Sequence, residues 1–200
     1  MNNSAARFSR ASTSTNSLYT LIPLMLLMVA TRFYHIGSAW HLPDASWAVF
    51  FLGGFYLARK YFVLLLAEAV AIDFIFFALG GSQYCLSSAY GFLVPAYAAL
   101  WFGGQLLREE GLRKIEAHDA LFFIRGLAYW WVSASLAYLF TNASFYFLSD
   151  KVVDPTFANY FVHAKIWYAA FVSRPMIYLV AAALAHFAAV QAFRLRPAIR

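Results

Sequence analysis

Apolar residues in this chain come in long continuous runs, parted by short polar gaps. They do not alternate with polar ones as they would in a half-buried strand, so the pattern predicts helices. The first run, 18–33, is LYTLIPLMLLMVATRF. A loop, GSAWHLPDAS, follows, and Asp44 or Ser46 in it can cap the next helix. The second run, 46–58, is short for a membrane crossing and is expected to tilt little or to sit in thinned bilayer. Arg59 and Lys60 end it. The third run covers 61–80, the fourth 88–107 and the fifth 120–148, the last long enough to project beyond a bilayer. Pro175 disfavours helix at Arg174 and suits a first helical turn, so a sixth run is predicted over 175–193. That leaves 156–173 as an amphipathic segment outside the bundle or across its mouth. Ala181, Ala185 and Ala189 form a row of small residues along the sixth run, a pattern that lets helices approach closely.

Composition turns this pattern into a class. Hydrophobic residues make up 63% of the chain and charged residues 12%, against about 25% charged in a soluble domain. The expectation is an all-α integral membrane protein, a six-helix bundle. Residues 1–17 form a polar tail, 18–193 the membrane domain and 194–200 a basic tail. No small-x-small site closes the first run near Ala30, so it reads as a retained span rather than a cleaved signal. The net charge of +6 suggests nucleic acid at first sight. The basic residues, however, lie between runs and at the termini, where they act as topology signals. Arg59, Lys60, Arg108, Arg113, Lys114 and the terminal arginines all fall on one side. That side is expected to be cytoplasmic, with both termini, and the gap GGSQYCLSSAYG then faces outward.

Candidate chemistry gathers on that outward side. Cys85 is the one cysteine, which excludes an internal disulfide and a multi-cysteine metal site. Asp73 is expected roughly 10 Å below the outer end of the third run. Tyr84 flanks the thiol, Tyr90 opens the fourth run, Arg174 heads the sixth, and His35 and His41 sit in the first outer loop. Polar groups at membrane depth usually face a bundle interior or a cavity. Plainer roles exist for several of them. A lone cysteine is often a small buried hydrophobe. Asp73 can form a structural bridge with Arg174, Glu68 can pair with Arg125, and His186 reads as a packing residue.

Six runs with three outer loops over a mouth are similar to the S-components of energy-coupling-factor (ECF) vitamin transporters. The segments HLPDASWAVFFLGGFYL, AEAVAIDF and YCLSSAYGFLVPAYAALWFGG resemble the BtuM family, solitary S-component-like proteins for vitamin B12. The resemblance covers about 18–193 and is most specific at the cysteine block. It implies a cobalamin site roofed by the outer loops, with Cys85 as an axial ligand to cobalt. It also implies Asp73, Tyr90 and Arg174 as polar pocket residues; Tyr84 and His41 are further candidate contacts by their position on the outer side. Thiolate is a soft donor suited to a transition metal, and a ligating thiol is deprotonated by the metal itself. A corrin supplies the four equatorial nitrogens, so a single thiolate suffices. The resemblance implies a carrier rather than an enzyme, with loss of cobalt-bound cyanide as a side chemistry. In one respect the chain departs from the pattern. Many S-components carry AxxxA on the first helix for docking on an energising module, and here that run offers only Ala30.

Other readings stay open at this level. The chain can be an S-component for another vitamin with a structural cysteine, or a scaffold in a membrane complex. It can also be an intramembrane thiol enzyme using Cys85 with His41 or His163 as base. The outward position of the thiol is directly testable. In intact cells a membrane-impermeant maleimide is expected to label Cys85 from outside, and labelling only after the cytosol is opened would reverse the orientation.

Overall fold

The computed structural model describes residues 3–32, 42–81, 87–113 and 120–194. Among them the chain is all-α. Its elements are α1 (Asn3–Arg32), α2 (Ser46–Tyr56), α3 (Lys60–Ala78), a 3-10 turn (Ser88–Phe92), α4 (Leu93–Arg113), α5 (Ala120–Leu148), α6 (Phe157–Ser173) and α7 (Met176–Arg194). Two helical stretches, Lys60–Ala78 and Phe157–Ala188, are long and apolar enough to cross a membrane. The segments 33–41 and 82–86, which carry His35, His41, Tyr84 and Cys85, lie outside the described residues.

Local chemistry sets several helix ends. α3 stops in a Schellman motif: Gly80 takes the left-handed conformation at φ 86°, where glycine alone meets no Cβ penalty. Gly80 N–H then donates to Phe77 O and Gly81 N–H to Phe76 O. Ser87 starts the 3-10 turn by accepting from Ala89 N–H, and Thr156 starts α6 by accepting from Asn159 N–H. Asp44 Oδ1 accepts from Ser46 N–H at 2.8 Å, while Ala45, the residue before α2, makes no side-chain cap. The polar residues ahead of Leu18 do not stand apart from the first run, because α1 is helical from Asn3.

α2 is the centre of the bundle. Ser46 to Phe51, Gly53 and Gly54 are all buried, as expected of a helix that is apolar all round. At eleven residues it is about 16 Å long, well short of a hydrocarbon core of about 30 Å. Its shortness therefore reflects a place inside the protein rather than tilt or bilayer thinning. α4 packs most closely against it. A Cβ on Gly54 would come within 2.0 Å of Trp101 O, and one on Gly104 within 2.0 Å of Phe51 O. The two glycines thus let two backbones approach where no side chain fits. Phe50 stacks on Tyr97 at 4.1 Å beside this contact, and Phe51 meets Trp130 of α5 edge-on at 5.5 Å.

The C-terminal third differs from the expectation. α6 lies neither outside the bundle nor across its mouth, but antiparallel along α5. Trp130 Nε1 donates to Val172 O, Tyr138 OH to Ala164 O, and the Tyr146 and Tyr160 rings lie 5.3 Å apart. α7 does start where the sixth run is predicted, at Met176 directly after Pro175, but only a two-residue turn parts it from α6. Arg174 is helical, at φ −58° and ψ −44°, and its N–H donates to Ala170 O. Pro175 removes one backbone donor, which bends a helix without ending it when neighbours satisfy the freed carbonyls. The carbonyl that Pro175 leaves without its donor is that of Phe171, four residues before it, and the neighbouring Val172 O accepts from Trp130 Nε1. α6 and α7 thus run as one bent rod, and the described residues make six rods. The alanine row is not a packing seam here: Ala181 and Ala185 are exposed, and the side chain of Ala189 lies outside the described ones. α1 runs toward, and α7 away from, the end of the bundle holding Arg32 and the start of α2. The first described residues of α1 and the last of α7 therefore lie toward the opposite end.

Gly54→Ala and Gly104→Ala are each expected to lower stability by about 1–3 kcal/mol, the usual cost of overpacking. Gly91→Ala, where a new Cβ meets nothing within 4 Å, is expected to be silent. Thermal unfolding of the three variants in one detergent checks this.

Candidate functional site

The polar centre of the molecule begins with Arg32, the last residue of α1. Its side chain is 8% exposed, so its charge must be met inside the protein. Asp73 on α3 meets it in bidentate fashion: Nε donates to Oδ1 at 2.8 Å and Nη2 to Oδ2 at 2.6 Å. Nη1 donates to Ser46 Oγ of α2 and to Tyr97 OH of α4, both at 2.7 Å. Tyr90 of the 3-10 turn donates its OH to Asp73 Oδ2 at 2.7 Å. Ser46 in turn donates to Asp44 Oδ1 at 2.6 Å. Ala45 N–H donates to Thr31 Oγ1 at 3.0 Å, which fixes the loop against α1. Four helices and the 3-10 turn thus converge on one guanidinium–carboxylate pair. Burial, with the hydrogen bond to Asp73 next, pushes the Tyr90 phenol well above its ordinary range, so it remains a donor.

Two of the residues singled out in the sequence, Asp73 and Tyr90, are in direct contact. Arg174 does not join them. It is exposed in the bend between α6 and α7 and makes no side-chain hydrogen bond or ion pair with a described residue. The partner of Asp73 is Arg32, and the expected Asp73–Arg174 bridge is absent. The bend does lie beside the start of α2, where Trp47 meets Phe171 at 5.8 Å and Tyr178 OH donates to Pro43 O. Glu68 does not pair with Arg125 either. Arg125 is held by Glu110, and Glu68 Oε2 is buried without a described hydrogen-bond partner. His163 is exposed on α6 with its ring 6.1 Å from that of Tyr146. His41, Tyr84 and Cys85 fall outside the described residues. The segment bearing Cys85 joins Gly81, at the end of α3, to Ser87, at the start of the 3-10 turn that carries Tyr90.

Arg32, Ser46 and Tyr97 were not read as site residues. One signal was available: an arginine closing an apolar run needs a partner at depth. Nothing in the spacing marks Ser46 or Tyr97 as that partner. Among the described residues, no three His, Cys, Asp or Glu side chains converge on a metal position.

Hydrogen-bond capacity defines what this centre can bind. Asp73 accepts three bonds, and a carboxylate has about four lone-pair sites. The guanidinium uses Nε, both hydrogens of Nη1 and one of Nη2, leaving a single N–H of Nη2 unengaged. The remaining acceptor capacity lies on Oδ1, which takes only the Nε bond, and the remaining donor on Nη2, at the other end of the pair. Compared with protein-family models and with curated proteins, the chain matches none.

Removing one partner of a buried pair strands the other charge. Arg32→Gln is expected to cost about 3–5 kcal/mol, and adding Asp73→Asn to restore part of it. Unfolding of both single variants and the double variant measures the coupling.

Proposed function

We propose that the chain is a multi-pass protein of the bacterial inner membrane that binds cobalamin at its outward end and carries it across, with both termini cytoplasmic. The membrane reading is supported by the two long apolar helices. They are only 11% and 17% buried, whereas the core helix of a soluble protein of that hydropathy is mostly buried. Large apolar side chains are exposed on the outer faces of the rods as well, among them Val63, Phe74, Ile75, Ile124, Ile166 and Leu184. Facing water, an apolar surface of that extent would drive association.

The single observation that carries the cobalamin reading is the unfilled hydrogen-bond capacity of the Asp73–Arg32 pair, an acceptor at Oδ1 and a donor at Nη2. A primary amide offers a carbonyl oxygen and N–H groups to the same side, and the corrin rim is set with amides. Amides of the rim that engage either site gain a partner for their own polar groups on burial. Tyr90 fixes Asp73 from the side of the turn that follows the cysteine segment. The resemblance to the BtuM family supplies Cys85 as the axial ligand to cobalt and favours this vitamin over others. Tyr84, His41 and Arg174 are the remaining proposed contacts. Binding is followed by reorientation of the bundle, and the protein acts as a carrier rather than an enzyme.

Cobalamin titrated into the purified full chain is expected to shift its absorbance spectrum through the cobalt–thiolate bond. Cys85→Ala is expected to lose that shift and to bind more weakly. Asp73→Asn is expected to weaken binding while keeping the spectral shift. An identical spectrum and affinity in wild type and Cys85→Ala would remove the thiolate from the site.

A further inference from the structure

The bend at Pro175 leans α7 onto α2 and opens a groove between α5 and α7, floored by α2. It measures about 210 Å³ and is lined almost wholly by apolar and aromatic side chains. Its composition changes along its length. Met176, Trp130 and Ala183 line it, while Tyr56 and His186 bring the polar groups, with Tyr56 OH and His186 Nδ1 3.2 Å apart. Just beyond that pair lies Arg108. It follows the groove residue Leu107 and donates through Nη1 to the carbonyl of Leu57, the residue after Tyr56. Arg59, Lys60 and Arg108 are exposed at this end, with Glu109 as the exposed acid beside them. Glu110 is already engaged by Arg125. The described charge there is therefore net positive.

We infer that this groove binds one anionic glycerophospholipid. The order of the lining matches the order of groups in that molecule. An acyl chain takes the apolar trough, the ester region meets the Tyr56–His186 pair, and the phosphate meets Arg108. Size decides against a partner helix as occupant. An apolar cavity of about 150 Å³ takes a benzene-sized guest, so this groove takes a strip of several methylenes. A helix with its side chains is about 10 Å across. Position decides for a lipid, because the exposed residues flanking the groove, Phe123, Leu127, Val180 and Phe187, are themselves apolar. The inference rests on the membrane reading but not on the vitamin.

The full chain, reconstituted in equimolar phosphatidylglycerol and phosphatidylcholine vesicles and then extracted, is read by native mass spectrometry. Wild type is expected to retain one phosphatidylglycerol, favoured about fivefold over phosphatidylcholine, the factor expected for one basic residue near a charged headgroup. Ala183→Phe, which fills the trough, is expected to lose the bound lipid. Arg108→Gln is expected to keep a lipid and lose the preference. Unchanged retention in Ala183→Phe, a wild-type chain without lipid, or a dimer closing over the groove each overturns the inference. If Ala183→Phe does not fold, Arg108→Gln decides alone, and an unchanged preference overturns it. The readout contains no cobalamin, so this inference and the vitamin reading fail separately.

Discussion

A guanidinium held at 8% exposure in a chain this apolar imposes a condition on everything around it. Its charge cannot be left to solvent, and a carboxylate alone does not use all its donors. Asp73 takes the ionic part, while Ser46 and Tyr97 take the remaining hydrogens. Because these partners sit on α3, α2 and α4, satisfying one side chain of α1 fixes the register of four helices at one end of the bundle. Tyr90 adds the 3-10 turn to the same arrangement. A buried pair of this kind contributes little net stability against a well-packed apolar substitute, yet it penalises every packing that separates the partners. It specifies the arrangement more than it strengthens it.

Below this polar layer the bundle depends on backbone proximity. Gly54 and Gly104 bring α2 and α4 together so closely that neither tolerates a Cβ. That contact makes α2 a core helix and gives the molecule a centre. On the other flank, the loss of one backbone donor at Pro175 lets the last rod bend. The bend lays α7 on α2 and away from α5. The polar centre and the apolar groove are thus two results of how rods close around the same short helix, toward its opposite ends.

Much of the fold was legible in the chain. The bounds of α5 follow the fifth apolar run residue for residue, α3 and α4 lie close to theirs, and Gly80 marks the stop before the cysteine segment. The site was legible only in part. Asp73 stood out as an acid in an apolar run and Tyr90 as a phenol in the first turn after the gap, and the two do meet. Arg174, at the head of the sixth run, was the basic neighbour expected for them, and Arg32 takes that place. Choosing between them requires knowing which helix packs beside α3. The reading of α6 failed for a related reason. Where a segment lies depends on what it packs against, here α5, whose Trp130 indole donates to Val172 O.

What the sequence determined by itself was the helical class, the run lengths, the ends set by local capping and the presence of charges that must find partners. These rest on backbone chemistry and on hydrophobic spacing, both of which act over a few residues. Tertiary structure alone decided which partner each charge took, which run became the core, and whether the bend at Pro175 joined or separated two helices. Those outcomes depend on contacts between residues as far apart as Arg32 and Tyr97 or Trp130 and Val172. No local pattern encodes such distances, because they exist only once the helices have packed.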